Sequence, residues 1–266
     1  MWTLTSDAEE FAAVAEPFLL GDPVHNTVAL TVLANLRAGM PAKDRYFGWW
    51  TVDGEVRGAV FCTPPHPIGL AGMPVEAVAP LVEALGRDLP TVVGRVELTS
   101  EVIRLLGPPK QVVPERLYRL GTLAVPDVPG WGRQAVPADF PLLVSWYHAF
   151  GEEVGLGDSE DVAQRVAQRL AARELFVWEA GGAPVSLAAL SPAAGGVCRI
   201  GPVYTPPSCR RHGYGAAVTA HASQVGLAER CDQVVLFTDL GNPTSNAIYQ
   251  AIGYEPVSDY AHIAYA

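Results

Sequence analysis

The sequence predicts a protein of the α/β (α+β) class in two structured halves. Strand-type and helix-type patterns alternate along all 266 residues. A Pro- and Gly-rich segment interrupts this alternation, and the patterns on its two sides follow much the same order. Hydrophobic residues make up 49% of the chain and charged residues 17%, which favours packed cores and argues against disorder. We therefore predict a domain over 1–125, a linker over 126–132 and a second domain over 133–266.

The first half is predicted to begin with two helices and to continue with a hairpin around the turn Asp53-Gly54. Its helices are expected at 8–19, 25–38 and near 75–85, and its strands at 46–52, 56–62, 92–98 and 117–123. The order resembles that of the second half and hints at an internal repeat of the fold.

The second half is predicted to begin with a short strand and two helices, followed by a hairpin. The strand is expected at 133–136, the helices at 138–150 and 159–172 with Asp158 as cap, the hairpin at 175–179 and 185–190, and closing strands up to 265. Two further strand–helix units lie between the hairpin and the closing strands, and they hold the informative motifs.

The first motif is Arg210-Arg211-His212-Gly213-Tyr214-Gly215. A β-branched strand pattern over 197–205 precedes it, and a helical pattern from Gly213 to about residue 230 follows. Two glycines at a helix start allow the backbone to approach an anion, and the free N–H groups there can bind phosphate oxygens. The segment is neither a P-loop nor a dinucleotide fingerprint. By itself it is equally compatible with a helix entry that contains ordinary turn glycines.

The second motif begins 27 residues after Gly215 and consists of Asn242-Pro243-Thr244-Ser245-Asn246-Ala247-Ile248-Tyr249 followed by Gly253-Tyr254. Residues 234–237 read as a buried strand. Asn242 is expected to cap the next helix, with Pro243 at its first position and Gly253 just past its end. Asn242, Ser245 and Tyr249 then share one helix face.

Together the two motifs resemble the GNAT superfamily of acyl-CoA-dependent N-acyltransferases. The family's Arg/Gln-x-x-Gly-x-Gly/Ala loop matches Arg210, Gly213 and Gly215, and its Asn, small residue, Tyr, Gly-aromatic pattern matches the second motif. The resemblance is specific over 197–257 and extends from about residue 130. Taken with the repeated order of elements in the first half, it implies two tandem GNAT-like domains, each with a mixed, mostly antiparallel central sheet flanked by helices.

The resemblance also implies acetyl-CoA or a related acyl-CoA as co-substrate and a small amine as acceptor. The pyrophosphate of the acyl-CoA would lie on N–H groups of residues 211–216, and its pantetheine arm would pair with the backbone of residues 203–205. The implied donor-binding residues are Val203, Tyr204, Thr205, Arg210, Arg211, His212, Gly213, Tyr214, Gly215, Ala216, Asn242, Ser245 and Tyr249.

Direct aminolysis of a thioester needs a base for the amine and a proton for the leaving thiolate. Tyr249 is the candidate general acid, because a phenol of pKa about 10 can protonate a thiolate when proton transfer accompanies C–S cleavage. Packing in the core is its alternative role. Many relatives use a carboxylate on the strand before the phosphate loop, but 197–205 contains none. Asp239, Glu152 and Glu153 are the substitutes, with His148 and His212 as further options.

The first half lacks these motifs. Between Phe61 and Val75, where a phosphate loop would lie, there is no Arg-x-x-Gly-x-Gly, and several prolines remove N–H donors. We expect a degenerate GNAT-like domain that packs against the second half and helps to wall the acceptor site.

Composition limits the partners, metals and cellular location that we expect for the protein. A net charge of −10 disfavours nucleic acid as a partner, and neither a membrane span nor a signal peptide is recognisable. The four cysteines lack metal-ligand or disulfide spacing, so we expect no metal, and we expect a cytoplasmic monomer or homodimer. An N-acetyltransferase is the favoured function, and a non-catalytic acyl-CoA-binding or sensing protein is the alternative.

Overall fold

The computed structural model describes residues 1–39, 42–155 and 162–265. In the first half, Asp7 caps the first helix by accepting hydrogen bonds from the N–H groups of Glu9 and Glu10. Its elements are β1 (Trp2–Thr5), α1 (Ala8–Leu20), α2 (Thr27–Arg37), β2 (Tyr46–Val52), β3 (Glu55–Cys62), β4 (Ile68–Leu70), a 3-10 turn (Val75–Ala77) leading into α3 (Val78–Leu85), β5 (Thr91–Arg95), α4 (Val96–Leu106) and β6 (Gln111–Leu120).

Three features of this half differ from the sequence-based expectation. The strand predicted over 92–98 ends at Arg95, and α4 follows at once because Leu98, Thr99 and Val102 form a buried stripe at helical spacing. The strand predicted over 117–123 ends at Leu120 and begins earlier. The short strands β1 and β4 were not foreseen, since three or four residues are too few for a periodic signal.

The second half follows the predicted order within a few residues. Its elements are β7 (Trp131–Gln134), a 3-10 turn (Pro137–Asp139), α5 (Phe140–Glu153), α6 (Val162–Ala171), β8 (Leu175–Ala180), β9 (Ala183–Leu190), β10 (Val197–Tyr204), a 3-10 turn (Pro207–Cys209), α7 (Tyr214–Glu229), β11 (Gln233–Asp239), α8 (Pro243–Ala251) and β12 (Tyr254–Ala264). The predicted cap Asp158 and the helix start at Ser159 lie outside the described residues.

All described strands form one continuous sheet in the order β1-β2-β3-β4-β5-β12-β6-β11-β10-β9-β8-β7. Neighbouring strands are antiparallel except for two parallel pairs, β4 with β5 and β10 with β11. One parallel pair lies in each half, which agrees with the predicted mixed, mostly antiparallel sheets of two tandem units.

The two halves exchange strands where their sheets meet. β6 precedes the predicted linker in sequence, yet it lies between β11 and β12 of the second half. β12 ends the second half, yet it pairs with β5 of the first half. The β6–β12 ladder extends from Gln111↔Ala264 to Leu120↔Tyr254. The division at 126–132 stays a prediction, and β7 already begins at Trp131 within that segment.

Helices cover both faces of the shared sheet. On one face, α7 packs on Cys198, Ile200 and other residues of β8–β11. On the opposite face, α5 and α6 cover β8 and β9. The connection between α1 and α2 contributes Val24 to a cluster with Val197 and Val235. The first half therefore covers part of the sheet that carries the two motifs. Among the described residues, no helix is long and apolar enough to cross a membrane.

The strand exchange predicts that the second half will not fold alone. A fragment spanning 126–266 lacks β6, so β11 and β12 would lose their common neighbour and expose unpaired edges. We expect this fragment to aggregate or to lack a cooperative thermal transition by circular dichroism. Co-expression with a 1–125 fragment should restore a 1:1 complex in size-exclusion chromatography. A monomeric 126–266 fragment that unfolds cooperatively would contradict the interpretation.

Candidate active site

The two parallel strands of the second half separate part-way along their length. β10 and β11 pair from Val197↔Gln233 to Ile200↔Leu236. Beyond Ile200 a register shift marks β10, which continues to pair with β9 through Val203 and Tyr204. β11 meanwhile continues along β6. Within the described ladders, the edge of β10 that faces β11 is thus unpaired from residue 201 to residue 204, and its backbone groups are available to a ligand.

The N-terminus of α7 lies just beyond this edge and is open. Gly213 adopts the left-handed conformation with φ of 81° and precedes the helix without any side-chain cap. A Cβ at this position would lie 2.9 Å from Cγ2 of Val128, so two constraints favour glycine here. The first helical hydrogen bond to Gly213 comes from the N–H of Ala217. The preceding N–H groups, of residues 214–216, have no helical acceptor and point outward, as an anion site requires.

Arg210 ties the loop to the rest of the site. Its Nε donates to the carbonyl of Thr205 at 2.8 Å, and its Nη2 lies 2.6 and 2.8 Å from the two carboxylate oxygens of Glu153. The guanidinium also lies 5.9 Å from the centre of the Tyr204 ring. These contacts join the end of α5, the end of β10 and the loop. Glu153, a candidate base, is therefore engaged in an ion pair.

The remaining loop residues stack beside the helix start. The rings of His212 and Tyr214 lie 5.4 Å apart and nearly parallel. Arg211 has a positive φ of 65°, which turns the chain into the left-handed Gly213. A Cβ on Gly215 would lie 3.4 Å from Oγ1 of Thr205, at ordinary contact distance. Thr205 therefore lies directly against the first turn of α7.

Ser186, which belongs to neither motif, supports Thr205 from β9. Its buried hydroxyl lies 2.8 Å from Oγ1 of Thr205 and 3.1 Å from the carbonyl of Tyr204. A polar residue inside the otherwise apolar strand predicted at 185–190 was the available signal, since buried hydroxyls need partners.

The second motif forms α8 as predicted. Oδ1 of Asn242 accepts the N–H of Ser245 at 3.0 Å, and Pro243 occupies the first turn. Asn246, which was not singled out, donates to the carbonyls of Asp239 and Asn242 and accepts from the Tyr118 hydroxyl at 3.0 Å. Because Tyr118 belongs to β6, the exchanged strand helps to hold α8.

Tyr249 lies on α8 with its ring packed edge-on against Tyr254 at a centroid distance of 6.1 Å. Desolvation raises the pKa of its phenol to about 12. Within residues 1–39, 42–155 and 162–265, its hydroxyl has no hydrogen-bond partner, whereas the Tyr254 hydroxyl is 2.7 Å from Ser223. Tyr249 is thus protonated at neutral pH and has a hydrogen to donate.

The other candidate bases occupy different settings. Asp239 is exposed, and its Oδ1 accepts the N–H of Gly241 at 2.6 Å in the turn after β11. Glu152 is exposed at the end of α5, and its carboxylate has no ion pair among the residues that the structure describes. No group of three or more potential metal ligands occurs within that part of the chain.

The corresponding loop of the first half is closed. After β4, the N–H of Gly72 donates to Oδ1 of the buried Asn26 at 2.8 Å. Pro74 then precedes the 3-10 turn and has no N–H. One donor is already satisfied and another is missing, so this loop differs from the open start of α7.

Comparison with known proteins agrees with this architecture. Residues 141–254 match the family described as Acetyltransferase (GNAT) family. No curated protein sequence matches the chain. A solved acetyltransferase of the GNAT family from Colwellia psychrerythraea superimposes with a TM-score of 0.67 at 10% identity, covering 100% of both chains. A GCN5-related N-acetyltransferase from Sphaerobacter thermophilus gives 0.67 at 16% identity, covering 98% of this chain and 94% of that chain.

A third structure bears on the arrangement of the halves. The tandem GNAT protein from the clavulanic acid biosynthesis pathway superimposes with a TM-score of 0.56 at 13% identity, covering 100% of this chain and 99% of that chain. At these identities the likeness concerns the fold. Residues 141–254 of this chain thus match the GNAT acetyltransferase family, and the whole chain has the fold of a tandem GNAT protein.

Proposed function

We propose that the protein is an N-acyltransferase that transfers an acetyl group from acetyl-CoA to a small amine by direct attack. The observation that carries the proposal is the placement of two helix starts beside the separated strands. α7 and α8 follow β10 and β11, which are adjacent and parallel, so both helices begin at the same edge of the sheet. An acyl-CoA would be held there along its whole length.

In this proposal the donor lies across three elements. Its pantetheine arm pairs with the unpaired backbone edge of β10, around Val203, Tyr204 and Thr205. Its pyrophosphate is bound by the N–H groups at 211–216, and Arg210, Gly213 and Gly215 shape that loop. One face of α8, from its cap Asn242 through Ser245 to Tyr249, borders the thiol. We place the proposed reaction in the cytoplasm.

The reaction then proceeds by attack of a neutral amine nitrogen on the thioester carbon. The tetrahedral intermediate collapses with cleavage of the C–S bond, the nitrogen loses a proton to a base, and the thiolate gains one from Tyr249. A backbone N–H of β10 would polarise the thioester carbonyl. Since the pKa of Tyr249 exceeds that of a thiol, its proton must move together with C–S cleavage.

Among the candidate bases, Glu152 has the strongest support. Glu153 is bound to Arg210, and Asp239 already accepts a turn N–H. Glu152 has no ion pair among the described residues. Desolvation, the charge of Glu153 and, to a smaller extent, the charge of Glu152 raise the pKa of Tyr204 on β10. We therefore assign it as the base that receives the amine proton, directly or through water.

A non-catalytic acyl-CoA-binding or sensing protein is the second candidate. It is favoured by one observation, namely that β10 carries no carboxylate beside the point where the strands separate. Such a protein would bind acetyl-CoA and release no CoA thiol with any amine, so turnover distinguishes the two functions.

The first expected result concerns donor binding. Isothermal titration should give one acetyl-CoA site per chain, because the loop at Gly72 has its N–H engaged. Gly215→Val should weaken binding by about 2 kcal/mol or more, since the added side chain would occupy space needed by phosphate oxygens. Gly215→Ala, whose methyl group fits at ordinary contact distance, is the matched control and should lose less. Two sites per chain, or an unchanged Kd in folded Gly215→Val, would refute the assignment.

The second expected result concerns turnover. With a panel of amines, release of CoA thiol should be measurable, and Tyr249→Phe should reduce kcat roughly a hundredfold or more, the scale for losing a positioned proton donor. Acetyl-CoA affinity and Tm should change little, because the ring and its packing on Tyr254 remain. With a phenol pKa of about 12, the wild type should show no loss of rate from Tyr249 ionisation below pH 11. A Phe variant with wild-type kcat would reduce Tyr249 to a packing residue.

A further inference from the structure

Arg199 is a charged residue in the middle of β10. Its neighbours Cys198 and Ile200 pack against α7, whereas Val197 belongs to the cluster on the opposite face. Because side chains alternate along a strand, Arg199 shares the face of Val197, which the first half covers. Its Nη1 donates to Oγ1 of Thr31 on α2 at 3.4 Å. The guanidinium thus lies at the boundary between the two halves.

This guanidinium has no carboxylate partner among the described residues. Its hydrogen bond to Thr31 is long, and the hydroxyl of Thr31 itself donates to the carbonyl of Thr27 at 2.6 Å. Burial and the like charge of Arg169 lower the pKa of Arg199 to about 10. The surroundings therefore disfavour the charge that this side chain carries at neutral pH.

Arg169 provides an internal comparison. It lies on α6 and is also partly buried, but its Nε donates to the carboxylate of Glu174 at 2.9 Å. Its Nη1 donates to the Tyr147 hydroxyl and to the carbonyl of Gly201, each at 3.0 Å. Arg169 thus has a carboxylate partner in this chain, whereas Arg199 has none among the described residues.

The position of Arg199 relates it to the proposed reaction. It precedes Ile200, the last β10 residue paired with β11, so it lies within two residues, about 7 Å of strand, of the point where the strands separate. A guanidinium is a fork of N–H donors that matches a carboxylate, and such a pair is strongest away from water. A substrate carboxylate would supply the negative charge that no described residue of the chain places beside Arg199.

We propose that Arg199 binds a carboxylate of a substrate at the boundary of α2 and β10, which makes an amino acid the acceptor class. The inference rests on the proposed acyl transfer. A carboxylate could also enter on the acyl group of a dicarboxylic acyl-CoA. In both cases a carboxylate binds the Arg199 guanidinium, and the experiment below distinguishes a carboxylate on the acceptor from one on the donor.

The first comparison uses the wild-type chain. With acetyl-CoA as donor, rates of CoA thiol release are measured for a panel of α- and ω-amino acids and for the corresponding amides, expressed per concentration of neutral amine. An acceptor carboxylate on Arg199 predicts that kcat/KM for the best acid exceeds that of its amide roughly ten- to a hundredfold, as for a charge-assisted hydrogen bond. In a second arm, succinyl-CoA replaces acetyl-CoA with the amides. A preference for succinyl-CoA there places the carboxylate on the donor.

The second comparison uses Arg199→Met, which keeps much of the apolar stem and removes the fork. It should erase the preference for the carboxylate and leave the rate with uncharged partners within about twofold. Its Tm without substrate should equal or exceed that of the wild type, because a partly buried charge without an oppositely charged partner is removed. Arg104→Met, which removes an exposed arginine on α4, is the control and should alter neither preference nor Tm by much.

A purely structural role for Arg199 gives a different pattern. Arg199→Met would then lower Tm and reduce turnover of acids and amides alike, and the proposal would be wrong. Equal rates for acids and amides in the wild type, with no preference for succinyl-CoA, would also overturn it. If no amine is acylated, the proposed function fails instead. Arg199 is then tested by thermal shift, where carboxylic acids of the panel should stabilise the wild type and not Arg199→Met.

Discussion

The reciprocal pairing of β6 and β12 is the constraint on which the rest of the structure depends. Each of the two strands pairs with strands of the other half, so the strands of either half lack hydrogen-bonded neighbours when the other half is absent. The consequence extends to the site, because Tyr118 on β6 donates to Asn246 at the start of α8. The helix that carries Tyr249 is thus oriented by a strand from the other side of the predicted linker.

The loop and helix that follow the parallel strand pair differ between the two halves in whether their backbone N–H groups are free. Each has a parallel strand pair followed by a loop and a helix, the arrangement that presents backbone N–H groups at a sheet edge. In the second half Gly213 leaves those groups open, and in the first half Asn26 occupies one of them and Pro74 lacks another. The first half instead supplies α2, which covers the face of β10 opposite α7 and contacts Arg199 through Thr31.

Electrostatic pairing divides the charged residues near the site into satisfied and unsatisfied groups. Arg210 with Glu153, and Arg169 with Glu174, form ion pairs within the chain. Arg199 and Glu152 do not pair with any described residue of opposite charge. A charged group that lacks an oppositely charged partner beside the proposed ligand site is one whose interactions a substrate can complete, and the proposed base and the proposed carboxylate site are both of this kind.

The sequence by itself determined the order of elements in the second half, the two motifs and the tandem fold, whereas α4 and the short strands β1 and β4 were not predicted. Glycines at 213 and 215, the Asn242 cap and the spacing to Tyr249 are local features, and local geometry follows from neighbouring residues. Only the tertiary structure decided the exchange of β6 and β12, the pairing of Glu153 with Arg210, and the isolation of Arg199 against α2. These are contacts between residues that are distant in sequence. No periodicity or spacing specifies which strands become neighbours or which charges meet, because packing of the whole chain selects those partners.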